Sequence, residues 1–291
     1  MPTTRTRRPA SPVAAVMEHL LARDRLLLNL LEAHRVLTTG QVATLLFPSL
    51  RRCQDRLRRL YQLGLLERWR HRDRYGGSQP WRWTLGPVGA QLQAAANGQR
   101  LPSPQVVRDR ITALATSPEL NHRLGVNQFF TDLVAHTRTR PGTGLLLRWW
   151  PEQRAASLLR HKVVPDGHGL WHAEATTTAW FLEWDSGAED LPRLIAKIAG
   201  YEKAARGGGP AWPVLFYLHS RVREDNLHRL LAGAAGRCPV ATAARDRGTA
   251  GPAGAVWRLL GGIGRVPLHR VGGHVDTPAA ANWTDDYQTA S

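Results

Sequence analysis

Apolar residues return at helical intervals from Val13 to His34, with Leu20, Leu21, Leu27, Leu28, Leu30 and Leu31 on the repeat. That spacing predicts a helix with one buried face. The next stretch, "TTGQVATLLFPS", reads as a short helix. Thr38 or Thr39 caps it, Val42, Leu45 and Leu46 face inward, and Pro48 stops it. Ser49 caps a third helix, "SLRRCQDRLRRLYQLG", with a stripe of Leu50, Cys53, Leu57, Leu60 and Tyr61 and an end at Gly64. Two short strands follow, "LLERWR" and "WRWTLG", joined by a turn with Gly76, Gly77 and Pro80. A helix from Pro87 to Ala96 closes this region, and residues 98–110 read as a linker.

Beyond the linker the pattern changes. Ser117 and Pro118 start a helix with Leu120, Leu124, Phe129, Leu133 and Val134 on its inner face. Strands are expected at "GTGLLLRWWPE", "RHKVVPDG" and "TTTAWFLEWDSG". The intervening "HGLWH" is expected to be a connecting turn, because Gly169 interrupts it. A helix capped by Asp190 runs to Gly207, with Leu191, Leu194, Ile195 and Ile198 inward. "WPVLFYLHS" is continuously apolar, as a strand buried on both faces would be. A helix at "NLHRLLAGAAG" and a strand at "AVWRLL" complete the set, and residues 261–291 read as a flexible tail. The fold class expected is mixed α and β, in two domains at 13–97 and 111–260.

Charge changes the picture. The 291 residues carry a formal net charge of +16, which predicts a polyanionic partner. Residues 1–100 hold 17 arginines against six acids, net +11; the other 191 hold 22 basic and 17 acidic residues, net +5. The anion-binding surface is therefore expected in the first third, which begins with a basic arm at 1–12. No apolar run is long enough for a membrane span, and no signal-peptide pattern follows the arm, so a cytoplasmic protein without membrane insertion is expected. Cys53 and Cys238 are too few and too far apart for a disulfide framework or a zinc site.

Three helices and a hairpin in the first third resemble a winged helix-turn-helix domain. The resemblance implies double-stranded DNA as partner, with the third helix in the major groove and the hairpin on the backbone. Arg51, Arg52, Gln54, Arg58 and Arg59 then lie on the outward face of the third helix, and Arg70, Arg72 and Arg74 on the hairpin. A solvated basic helix in a protein-interaction module is the bland alternative.

The order helix, three strands, helix, strand in the second domain resembles the PD-(D/E)XK nucleases. "VVPD" supplies Pro165 and Asp166, and "FLEWD" supplies Glu183, 17 residues on. Asp185 stands where that pattern has lysine, and Glu119 matches an acid carried by many members on the first helix. Over residues 20–220 the chain also resembles the replication-relaxation proteins of actinobacterial plasmids and integrative conjugative elements. That likeness rests on "HRLGVNQF", "WWPE", "VVPDG", "FLEWDSG" and "KIAGY", and it implies conjugative-transfer or replication proteins as further partners. Carboxylates at strand ends in so basic a chain suit Mg²⁺ or Mn²⁺, which neutralises phosphate charge and activates water. Asp166 and Glu183 are the expected ligands, with Glu119 as a third, and Asp185 belongs to the expected catalytic set. Lys197 is the expected replacement for the missing lysine and Lys162 the second choice; Lys197 and Tyr201, four apart, share a helix face. A metal-dependent DNA-nicking enzyme and an inactive DNA-binding accessory factor or repressor both remain open at this level.

Overall fold

The computed structural model describes residues 20–71, 77, 79–232, 236–248, 250–276 and 282–287. The basic arm, Arg72 and Arg74 lie outside them. The chain divides into two compact units: residues 1–117 with 287–291, and residues 118–286.

In the first unit, α1 (Ala22–His34), α2 (Thr39–Leu46) and α3 (Leu50–Gln62) accompany a three-stranded antiparallel sheet of β1 (Leu37–Thr38), β3 (Arg82–Leu85) and β2 (Leu66–Trp69), in that order. Then come α4 (Pro87–Ala96) and α5 (Pro104–Thr116). Thr38 caps α2 in a reciprocal capping box with Gln41, and Ser49 caps α3. On α3, Cys53, Leu57 and Leu60 are buried, whereas Leu50 and Tyr61, expected on the same stripe, stay exposed. Arg56 is tied to the buried Asp24 of α1. Residues 104–110, expected within the linker, are the first half of α5.

The second unit opens with α6 (Leu120–Thr139) and is built on a six-stranded sheet. Its strands, in spatial and chain order, are β4 (Leu145–Pro151), β5 (Gly167–Ala173), β6 (Thr176–Trp184), β7 (Val214–Leu218), β8 (Val240–Ala244) and β9 (Arg258–Leu259). β4, β5 and β6 pair antiparallel; β6, β7 and β8 pair parallel; β9 is antiparallel at the edge. The helices α7 (Glu152–Leu158), α8 (Leu191–Arg206) and α9 (Arg221–Leu230) lie in the connections. Phe181, Leu194, Tyr201, Val214, Phe216 and Leu227 form one core cluster. Phe129 and Phe130 of α6 pack on Trp149 and Trp180 in a separate aromatic group.

Three expectations are corrected. The second strand is not "RHKVVPDG" but Gly167–Ala173, so "HGLWH" is strand rather than turn. Gly169 is there for packing: a Cβ would meet the Trp180 ring at 2.3 Å. β8 is a strand the pattern did not suggest. Of the expected tail, the described residues 261–276 and 282–287 are tied to the fold. Over 266–276, Trp257 and Val266 exchange backbone hydrogen bonds, and Gly273 and Val275 pair with Ala179 and Thr177 along β6. Trp283 and Tyr287 are buried. Among the described residues no helix is long and apolar enough to cross a membrane.

Candidate functional site

The β5–β6 register sets the site. Gly167 pairs with Leu182, so one further step puts Asp166, at the start of β5, opposite Glu183, near the end of β6. The backbone confirms the approach: Asp166 N–H donates to Leu182 O at 2.9 Å, and Trp184 N–H donates to Asp166 Oδ2 at 2.7 Å.

α8 brings the remaining groups to Glu183. Lys197 Nζ donates to Oε2 at 2.8 Å, and the Tyr201 hydroxyl donates to Oε1 at 2.6 Å. Their spacing, one turn apart on one helix face, lets a single helix engage both oxygens. From α6, His122 Nε2 lies 3.0 Å from Asp166 Oδ1 and its ring meets the Trp184 ring edge-on. Gly125, three residues further along α6, permits this approach, since a Cβ there would meet the Trp184 ring at 2.1 Å.

The electrostatics follow from burial. Glu183 is 1% exposed. Burial, and then the neighbouring Asp166 charge, push its carboxyl up to about 7, against the pull of Lys197 and Tyr201. Burial disfavours the charged Lys197, but Glu183, Asp166 and Glu189 outweigh it and raise its proton affinity. Lys197 is therefore a fixed cation at neutral pH. Burial, with Glu183 beside it, holds the Tyr201 hydroxyl well above its ordinary value. His122 is likewise raised: burial works against its charged form, but its bond to Asp166 and the Asp166 charge prevail.

The structure thus brings together Asp166, Glu183, Lys197 and Tyr201. Tyr201 is 1% exposed and engaged as a donor, which suits positioning rather than attack. Three expected residues stand elsewhere. Glu119 is 74% exposed and pairs with Arg123; the side chain of its helix that reaches Asp166 is His122. Asp185 accepts both ends of the Arg223 guanidinium, at 2.6 and 2.9 Å. Lys162 puts its ammonium beside Gly207, at the far end of α8 from Lys197, ten residues or about 15 Å along a helix.

His122, Glu189 and Arg223 were missed from the sequence. Arg223 acts on a residue 38 positions away, which no local pattern reveals. His122 had a signal: it opens the "HRLGVNQF" segment, three residues before the close-packed Gly125. Asp166 and Glu183 are the residues whose oxygens could hold a cation. Among the described residues no group of three or more His, Cys, Asp or Glu is arranged to hold one.

In the first unit Arg51, Arg52, Gln54, Arg58 and Arg59 are exposed on α3, opposite its buried stripe. Arg70 lies over the Trp81 ring at 4.5 Å, and Arg68 over the same ring at 4.2 Å. The two guanidinium groups are thereby ordered on one indole.

A family model described as replication-relaxation matches residues 28–215, more than half of the chain. No curated protein and no solved structure matches.

Proposed function

The chain belongs to the replication-relaxation family, and from that premise we propose that it binds duplex DNA and nicks it, at the start of replication or transfer of a plasmid or integrative conjugative element. The observation that carries this reading is Lys197. A lysine from α8 sits on Glu183, across the strand pair from Asp166. Two acids and a lysine are thus gathered from three elements although Asp185 occupies the usual lysine position. The second unit is read as a PD-(D/E)XK-like domain and the first as a winged helix, with α3 on base edges and Arg68 and Arg70 on phosphates.

The donor set supports Mg²⁺ or Mn²⁺ as cofactor. Each carboxylate oxygen of Asp166 and Glu183 has one donor and keeps a second acceptor position. Magnesium commonly takes only one or two carboxylates and completes its shell with water and phosphate. Asp166 and Glu183 would hold the ion, which supplies charge neutralisation and a more acidic water. The protein's own part is to orient: Tyr201 fixes the Glu183 carboxylate, which Lys197 holds as long as no ion is there, and His122 and the Trp184 amide fix that of Asp166. Water is the nucleophile, adding to phosphorus as a bridging P–O bond breaks, because the Tyr201 hydroxyl is buried. Lys197, held cationic, acts on developing phosphate charge rather than as a base.

Incubation of supercoiled plasmid from the host element with Mg²⁺ or Mn²⁺ tests the reading. Nicking should appear, vanish with EDTA and with Glu183→Ala, and survive in Tyr201→Phe. Activity that persists through EDTA and Glu183→Ala would refute the metal mechanism. One observation favours the second reading, a DNA-binding accessory factor: both oxygens of Glu183 already carry donors, and Glu183 itself is closed off from solvent. Wild-type protein that binds the plasmid and never nicks it would decide for that alternative.

A further inference from the structure

Lys197 has two partners of different kinds. Its ammonium is 2.8 Å from Glu183 Oε2 and 3.3 Å from Glu189 Oε2. Glu183 is closed off from solvent, whereas the Glu189 and Lys197 side chains are 31% and 32% exposed. Glu189 lies in the turn between β6 and α8, and that turn is pinned along its length. Gly187 N–H donates to Asp185 Oδ1, Asp190 caps α8, and Arg223 binds both oxygens of Asp185 while donating to the backbone carbonyl of Glu189. The Asp185–Arg223 pair therefore fixes the stretch of chain that presents Glu189 to Lys197.

A divalent cation on Asp166 and Glu183 would compete with the ammonium already there, because both are positive and both require Glu183 oxygens. A displaced ammonium without a partner would be left partly buried beside the ion, which is unfavourable. We propose that Glu189 is the second seat of Lys197: cation uptake by Asp166 and Glu183 moves the ammonium onto Glu189, which the Asp185–Arg223 clamp keeps within reach. This rests on the cation-binding reading above. It makes Glu189 a determinant of cation affinity without being a ligand, and Asp185 and Arg223 positioning residues that act through it.

The chain holds three lysines, Lys162, Lys197 and Lys203, so Lys197 can be followed directly. The full chain, carrying ¹³C at lysine Cε, is titrated with Mg²⁺, with Lys197→Arg identifying its signal. Mn²⁺ affinity is measured by calorimetry in parallel. The Lys197 resonance should move while those of Lys162 and Lys203 stay in place. Glu189→Gln should bind Mn²⁺ at the same number of sites but about two- to fivefold more weakly, the range of a partly exposed ion pair. Wild-type protein that takes up neither ion would overturn the cation reading and this inference together. Cation binding with an unmoved Lys197 resonance, or with unchanged affinity in Glu189→Gln, would overturn the second seat alone and leave the carboxylate site standing.

Discussion

Two arginine–aspartate pairs, one in each unit, show how differently the same chemistry is used. On α3, Arg58 reaches Asp55 at 3.3 Å with the two side chains 62% and 61% exposed. Between α9 and the end of β6, Arg223 grips Asp185 with side chains 13% and 2% exposed. The first pair sits in water and holds nothing else. The second is withdrawn from water and also fixes the Glu189 backbone. A high arginine count therefore means two things in one chain: accessible charge, as on the outer face of α3, and internal fastening, as at Asp185 and at the Asp24 that Arg56 holds in the first unit.

The sharpest test of that contrast is Arg223→Met. Leaving the Asp185 carboxylate buried without its fork should destabilise the protein by about 3–5 kcal/mol in denaturant titrations at neutral pH. A loss below about 1 kcal/mol would mean that burial does not separate the pairs.

Titration probes the same region less severely. The folded carboxyl of Glu183 is raised from 4.5 to about 7. Between those values the unfolded chain has released this proton and the folded chain retains it. Wild-type stability should therefore fall as pH rises from about 4.5 to 7, relative to Glu183→Gln, and the difference should level off above that window. A difference curve that is flat throughout would contradict the environment described for Glu183.

On the exposed side, effects should appear in binding rather than folding. Replacing Arg68 and Arg70 by alanine should lower the log–log salt slope of duplex binding by about 0.9 for each phosphate contact removed. An unchanged slope would remove both residues from the proposed DNA surface. Smallest of all, Arg58→Ala should alter unfolding free energy by less than about 0.5 kcal/mol; a larger loss would show that the exposed pair is more than surface charge.

What could be read from the sequence follows the same division. α3 was legible because a surface helix must alternate with the 3.6 period, and Cys53, Leu57 and Leu60 do so behind a serine cap. Its end positions were not, because Leu50 and Tyr61 continue the period at the margin of the buried face. β5 was hidden by Gly169, which reads as a breaker until Trp180 is known to lie over it. β8, "VATAA", was hidden by alanine, a weak strand former that is accepted here because both neighbouring strands cover it. In the site, Asp166, Glu183 and Lys197 were legible from motif and helical spacing. Asp185 misled because two residues along a strand share a face, whereas Asp185 lies just past the strand and turns to Arg223. Glu119 misled because a first-turn acid and a first-turn histidine look equally able to reach a sheet end, and only His122 does.

The backbone bonds that Gly273 and Val275 make along β6 bear on how this protein can be shortened. β7 covers only the C-terminal half of β6, from Phe181 onward; the late segment covers Thr177 to Ala179. A chain cut at residue 260, where the sequence pattern fades, would expose an unpaired strand edge in the middle of the sheet and empty the place of the buried Leu268. Bare edges of that kind recruit other chains. Shortened versions that keep residues through 287 should stay monodisperse, and those ending at 260 should self-associate.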